Sequence, residues 1–199
     1  MRSRSSWLVW GLLAAPAVWF VSVAEGQSAE DLESLLHPTG ELSARLLIVA
    51  LALTPLGKLF PRARAVRWLL GRRRAIGVAA FGYAALHTLF YVAAMGSADD
   101  MLAELGATGI WTGWAALALL APLALTSTDR AQRWLRSGWK RLQRLAYPAA
   151  VLTLAHWALV HNDTWTAVAH FAPLALLQIL RVLNRSGARA GLNERQSHA

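Results

Sequence analysis

Apolar residues run along this chain in long blocks rather than in the short alternations of a soluble fold. Six blocks can be drawn, at 7–24, 42–59, 75–95, 110–126, 145–160 and 165–183. A soluble helix needs a polar face and interrupts its apolar run every few residues. Blocks of this length instead match a bilayer, whose roughly 30 Å of hydrocarbon takes about 20 apolar residues to cross. The fourth and fifth blocks are short and are expected to borrow a turn from their flanks. The pattern predicts an all-α, polytopic transmembrane bundle of about six helices. It places one domain at 1–185 and a polar, glycine-containing, flexible tail at 186–199.

Charge adds the topology. The segment 57–74 carries Lys58, Arg62, Arg64, Arg67, Arg72, Arg73 and Arg74 with no acid. The segment 127–144 carries Arg130, Arg133, Arg136, Lys140, Arg141 and Arg144 against Asp129 alone. Arg2 and Arg4 precede the first block, and Arg181, Arg185, Arg189 and Arg195 close the chain. The alternate connections are acidic: Glu25, Glu30, Asp31, Glu33 and Glu41, then Asp99, Asp100 and Glu104, then Asp163. Of the basic residues only Arg45 falls on the acidic side. By the positive-inside rule both termini are cytoplasmic. The N-terminal run ending Ser22-Val23-Ala24 also has the form of a cleavable signal peptide, whose removal would leave five helices in the same orientation. Its three tryptophans, Trp7, Trp10 and Trp19, suit a retained helix better.

Composition then narrows the chemistry. The net charge of +9 does not mark a nucleic-acid binder, because the basic residues sit between apolar blocks where they set topology. With no cysteine, disulfides, thiolate haem ligation, cysteine-held iron–sulfur clusters and covalent haem attachment are excluded. Only two of the twenty basic residues are lysine and alanine abounds, the usage of a GC-rich bacterial genome.

An ionisable residue inside a membrane is a functional candidate, since burial in lipid costs several kcal/mol unless it has a partner. His87 lies in the third block and His156 in the fifth. Both helices rise from the basic side, and helical rise puts both residues roughly 17–18 Å above it. Two facing histidines at one depth are what a bis-histidine haem requires. Two histidines hydrogen-bonded to neighbouring helices would satisfy the same spacing, and spacing alone does not choose. Small residues at Gly77, Ala80, Ala84, Ala149 and Ala155 would let a flat cofactor approach the backbone. His170, at a depth close to that of His156, is a rival ligand or a haem neighbour. His37 precedes the second helix and could cap it or touch a cofactor edge. His161 sits at the membrane edge and His198 in the tail. Arg45, about one turn inside the outer end of the second helix, could pair with a haem propionate or snorkel to headgroups.

Several runs carry a family resemblance. They are Leu36-His37-Pro38-Thr39-Gly40, Leu53-Thr54-Pro55-Leu56, and Arg73-Arg74-Ala75-Ile76-Gly77 leading to Tyr83-Ala84-Ala85-Leu86-His87. Pro122-Leu123-Ala124-Leu125-Thr126-Ser127-Thr128 and Trp139-Lys140-Arg141-Leu142 follow in order. The ordered set covers nearly the whole chain. It resembles the haem-binding membrane subunit of the periplasmic methionine-sulfoxide reductase system, the MsrQ (formerly YedZ) family of the ferric-reductase-like transmembrane group. The resemblance implies a b-type haem protein of the bacterial inner membrane. It would take electrons from the cytoplasmic or quinone side and hand them to a periplasmic molybdopterin reductase, which performs the sulfoxide chemistry. It also implies an association with flavin, either as bound FMN or through a cytosolic flavin reductase.

One departure bears on the haem count. The family usually has a second histidine thirteen residues before the one matching His156. Here Gln143 stands there, and Arg74 stands thirteen before His87. Neither is a normal haem ligand, so one haem is expected. A flavin or quinone near the Arg72–Arg74 and Arg141–Arg144 clusters would shorten the electron path. Two other readings stand beside this one. A stand-alone ferric reductase would need a flavin- and nicotinamide-binding domain for which 199 residues leave no room. A cofactor-free scaffold or transporter is disfavoured because no acidic residue lies mid-membrane to couple ions.

Overall fold

Each apolar block forms a helix in the computed structural model, which describes residues 4–160 and 164–197, with side chains over 7–160 and 164–183. His161 and His198 lie outside the described residues. In chain order the helices are α1 (Arg4–Ala24), α2 (Ala29–Glu33), α3 (Leu36–Leu59), α4 (Arg64–Leu70), α5 (Arg73–Met95) and α6 (Ala98–Glu104). There follow α7 (Thr108–Leu125), α8 (Asp129–Leu135), α9 (Ser137–Leu142), α10 (Ala146–Val160) and α11 (Thr164–Ser197). The polar segment after residue 185, expected as a flexible tail, continues the backbone of α11.

Among the described residues, five stretches are long and apolar enough to cross a membrane: α1, α2 with α3, α5, α7, and α11 as far as Leu183. The fifth sequence block is the exception. It becomes α10, of 15 residues, about 22 Å of helix. A single 3₁₀ turn at Gln143–Leu145 extends it towards the basic end. The fourth block does borrow from its flank, since α7 begins at Thr108.

The long helices close into a ring: α5 packs on α3, α3 on α11, α11 on α10, α10 on α7, and α7 returns to α5. Small residues make the close approaches. Ala44, Ala80, Ala149 and Ala167, one on each of α3, α5, α10 and α11, are essentially without exposure. In a bilayer, where apolar side chains gain little by leaving lipid, such small contact residues let backbones meet. Ser43 Oγ donates to Ala80 O at 2.8 Å across the α3–α5 seam. The small positions were expected to face a cofactor. Ala80 and Ala149 instead serve helix packing, whereas Ala84 does line a cavity.

α1 lies outside the ring against α5. Tyr83 holds it by inserting into its backbone ladder: the hydroxyl donates to Leu13 O at 2.6 Å and accepts from Ala17 N at 3.1 Å. The insertion falls beside Pro16, where the ladder is already broken by a missing N–H. A second proline leaves a similar debt in α3. Pro55 has no N–H for Leu51 O, and Gln178 of α11 donates its Nε2 to that carbonyl at 3.3 Å. Gln178→Leu is therefore expected to destabilise the bundle by about 1–2 kcal/mol. Thermal unfolding in detergent should show a lower midpoint at unchanged helix content. An unchanged midpoint would mean that water reaches Leu51 O.

Candidate functional site

His87 on α5 and His156 on α10 face each other near the acidic end of the ring, with ring centroids 6.0 Å apart and planes at 82°. Each ring is seated in the same way by a neighbouring helix. His87 Nδ1 lies 2.9 Å from Leu36 O in the first turn of α3. His156 Nδ1 lies 2.7 Å from Gly109 O in the first turn of α7. A carbonyl only accepts, so each Nδ1 carries the proton and each Nε2 bears the ring's lone pair. Such an outer hydrogen bond fixes the tautomer and raises the basicity of the ligand nitrogen.

A glycine stands four residues after each accepting carbonyl, hence one turn along the same helix face. A Cβ added at Gly40 would lie 3.1 Å from His87 Nδ1, and one at Gly113 would lie 2.7 Å from His156 Nδ1. Both rings occupy the volume that a side chain would take. The two seats are thus one device used twice: carbonyl at i, glycine at i+4, imidazole across the gap. Sequence reasoning missed Gly113 altogether. The only signal was a glycine one turn into each of two helices, Leu36–Gly40 and Gly109–Gly113.

Between the rings opens a cavity of about 100 Å³. Its walls are mostly apolar, with Ala84, Ala116, Leu117, Leu120 and Trp114 among them, and its polar members include His37, Glu41 and Thr153. The donor set suits a metal held along one axis. Two imidazoles on opposite faces of one metal, at about 2.0 Å per metal–nitrogen bond, put ring centroids about 6.3 Å apart. The residues present therefore fit a haem with two axial histidines.

The other expected residues occupy different places. His170 is not in the cavity wall. Its Nδ1 donates to Thr166 O at 2.8 Å, and its ring packs on Trp157, the neighbour of His156, with centroids 4.9 Å apart. Arg45 Nη2 pairs with Glu41 at 2.5 Å and lies 3.4 Å from His170 Nε2. Glu41 itself lines the cavity, so this cluster forms the rim of its acidic mouth. His37 lines the same cavity and meets Trp157 edge-on.

Arg74 is at the opposite, basic end. It pairs with Asp129 at 2.5 Å and with Gln132 at 3.4 Å. Gln143 donates Nε2 to Leu123 O at 3.3 Å. That carbonyl ends α7, and Ser127 Oγ also donates to it at 2.6 Å. Helix ends leave carbonyls without intrahelical partners, and Gln143 works here as part of such a cap.

The family described as "Ferric reductase like transmembrane component" matches residues 39–154, a range that holds Gly40, His87, Gly109 and Gly113 and stops two residues short of His156. The chain is 35% identical over 187 residues to the protein-methionine-sulfoxide reductase heme-binding subunit MsrQ of Xanthomonas axonopodis pv. citri (strain 306), covering 86% of this chain and 78% of that protein. It is 35% identical over 185 residues to the MsrQ subunit of Caulobacter vibrioides, covering 88% of this chain and 85% of that one. No solved structure matches the chain. By both measures the chain belongs to the ferric-reductase-like transmembrane family and, within it, to the MsrQ heme-binding subunits.

Proposed function

We propose that this chain is the membrane-embedded electron-transfer subunit of a methionine-sulfoxide reductase system, and that His87 and His156 hold one b-type haem between α5 and α10. The observation that carries the reading is the doubled seat: two Nδ1–H groups on Leu36 O and Gly109 O, aiming two imidazoles across one apolar cavity. The names of the relatives attach haem binding and the reductase system to those proteins, and the seat is the reason to extend both to this chain. Haem bound there supplies a one-electron Fe(III)/Fe(II) couple.

The chain's own residues set the conditions for that couple. Leu36 O and Gly109 O would orient the two Nε2 atoms that hold it. The apolar walls keep water from the metal. At the acidic rim Arg45 is the cation available to a propionate, with Glu41 and His170 holding the guanidinium in place. Arg45→Ala is expected to lower haem retention about threefold to tenfold while leaving membrane insertion intact. Unchanged haem content in the purified variant would remove Arg45 from the site.

The charge pattern supports a direction of flow. The arginine-rich end is cytoplasmic by the positive-inside rule, with both termini on that side of a bacterial inner membrane. Electrons enter there from a quinone or from flavin, either bound FMN or a cytosolic flavin reductase. Near the acidic rim they leave to a periplasmic molybdopterin-dependent reductase, and that partner performs the sulfoxide reduction. The haem unit comprises residues 1–185.

The deciding experiment is a reduced-minus-oxidised absorbance spectrum of detergent-purified protein, with a pyridine haemochromogen assay. About one b-type haem per chain is expected, since one pair of axial histidines is present. No haem in protein made with ample haem supply would sink the proposal. Two haems per chain would overturn its single-haem form.

A further inference from the structure

The connection from α7 to α10 leaves the bundle at the basic end and folds into α8 and α9. Thr128 caps α8 by accepting from Ala131 N at 3.2 Å. Two residues tie α8 to the bundle: Arg74 of α5 pairs with Asp129 at 2.5 Å and donates to Gln132 at 3.4 Å. That pairing engages the one acid of the segment 127–144. Arg130, Arg133 and Trp134 stand at i, i+3 and i+4, so they share another face of the helix. α8 ends at Arg136, whose φ of 48° lies in the left-handed half of backbone space, rare for a residue with a Cβ. The reversal there starts α9 and sets Arg136 beside the other two arginines.

Arg130, Arg133, Trp134 and Arg136 line one shallow hollow, together with Thr128 and Ala131. Three guanidiniums meet there, and no carboxylate lines it. Among the described residues, none of the three makes an ion pair or a side-chain hydrogen bond. Like charges gathered without a counter-ion repel one another, so the arrangement favours a bound anion. Arginines that only set topology could be spread anywhere along the segment, and their convergence around an indole calls for a further reason. Position supplies it. α7 ends at Leu125, an exposed apolar side chain three residues before Thr128. The hollow therefore lies at the edge of the apolar span, at headgroup level, where tryptophan is a favoured residue, and Trp134 is 81% exposed. A guanidinium fork matches phosphate oxygens in pairs, and acyl chains can run along the lipid-facing side of α7.

We propose that the hollow formed by Arg130, Arg133, Trp134 and Arg136 binds the phosphate headgroup of an anionic phospholipid in the leaflet at the basic end. The three guanidiniums take the phosphate oxygens, and the indole packs on the lipid at the headgroup boundary. The Arg74–Asp129 pair keeps α8 in place to receive them. Basic residues beside a membrane gain affinity for anionic lipid roughly with their number, and here three act on one site. The site needs only that the basic end of the bundle lie at a bilayer surface. It is independent of the haem reading.

The test uses the full-length protein in detergent, titrated with dioleoylphosphatidylglycerol or dioleoylphosphatidylcholine and read by native mass spectrometry. One phosphatidylglycerol is expected to bind at least about tenfold more tightly than phosphatidylcholine. Arg130→Gln, Arg133→Gln and Arg136→Gln combined in one variant should abolish that preference. Lys140, Arg141 and Arg144 remain in it, so the segment stays basic and the topology is kept. A matched control combining Lys58→Gln, Arg62→Gln and Arg64→Gln removes the same charge from the other basic segment and should keep the preference. A second measurement needs no variant: hydrogen exchange of the wild type in nanodiscs should slow over residues 128–137 when phosphatidylglycerol replaces phosphatidylcholine. Equal affinity of the wild type for the two lipids would overturn the proposal. An equal loss in both triple variants, or exchange that slows only elsewhere, would reduce it to a diffuse charge effect and overturn it as a site. Saturable binding of inorganic phosphate without any preference between the lipids would assign the hollow to soluble phosphate and overturn the lipid.

Discussion

Gly113→Ala is expected to cost this protein most of its haem without touching either ligand. A Cβ at residue 113 would sit 2.7 Å from two atoms of the His156 ring, closer than side-chain atoms approach one another. The ring cannot retreat in place, because its Nδ1–H is held by Gly109 O at 2.7 Å on the same helix face. It must rotate away and give up that bond. Overpacking of this kind costs about 1–3 kcal/mol, and a lost outer partner of a metal-binding histidine costs about 10–100-fold in affinity. A fall in haem affinity of about a hundredfold is therefore expected, read as haem per chain after detergent purification. Haem affinity unchanged in Gly113→Ala would mean that His156 does not use this seat when loaded.

Gly40→Ala provides the graded control. The corresponding approaches to His87 are 3.1 and 3.2 Å, which the ring can relieve by moving a few tenths of an ångström. About threefold to tenfold loss is expected, within the lower range for an outer-partner change. The order of the two variants carries the argument. If Gly40→Ala proved the more damaging, the two seats would not be equivalent and the shared carbonyl-and-glycine device would fail as the explanation.

The paired histidines were legible in the sequence because helical rise is nearly constant. Counting residues from the basic end of two parallel blocks placed His87 and His156 at one depth, and the rings do face each other at 6.0 Å. The glycines were not legible, because their reason lies across a helix interface. Nothing in Thr112-Gly113-Trp114 says that an imidazole from α10 arrives there. The alanines misled for the same reason. Ala80 and Ala149 read equally well as a floor for a flat cofactor or as contacts between helices, and packing took them. Arg74 was marked only as a basic residue near a suspected inner site. Its partner, Asp129, is the one acid of the neighbouring basic segment, and that isolation was a usable signal. The shortness of α10 was visible as a short apolar block. That it would stay short, enclosed by α7, α11 and α3, depended on neighbours that no local pattern reveals.

His87→Ala and His156→Ala should each abolish the six-coordinate b-type spectrum. On the proposed haem reading each imidazole would be a ligand of the metal, so its loss should exceed the about 10–100-fold that an outer partner's loss costs. Loss of colour alone would not separate ligation from folding, since an alanine also removes a hydrogen bond to α3 or α7. Added imidazole makes the separation. Truncation to alanine leaves the accepting carbonyl, the glycine and the surrounding cavity in place, so free imidazole can dock with its own N–H on Leu36 O or Gly109 O. Restored low-spin absorbance at millimolar imidazole is expected for both variants. His170→Ala, by contrast, should keep its haem, since that ring stacks on Trp157 outside the cavity wall. If His170→Ala were colourless and His156→Ala were not, the axial pair would be His87 and His170, and the Gly109–Gly113 seat would belong to a structural histidine.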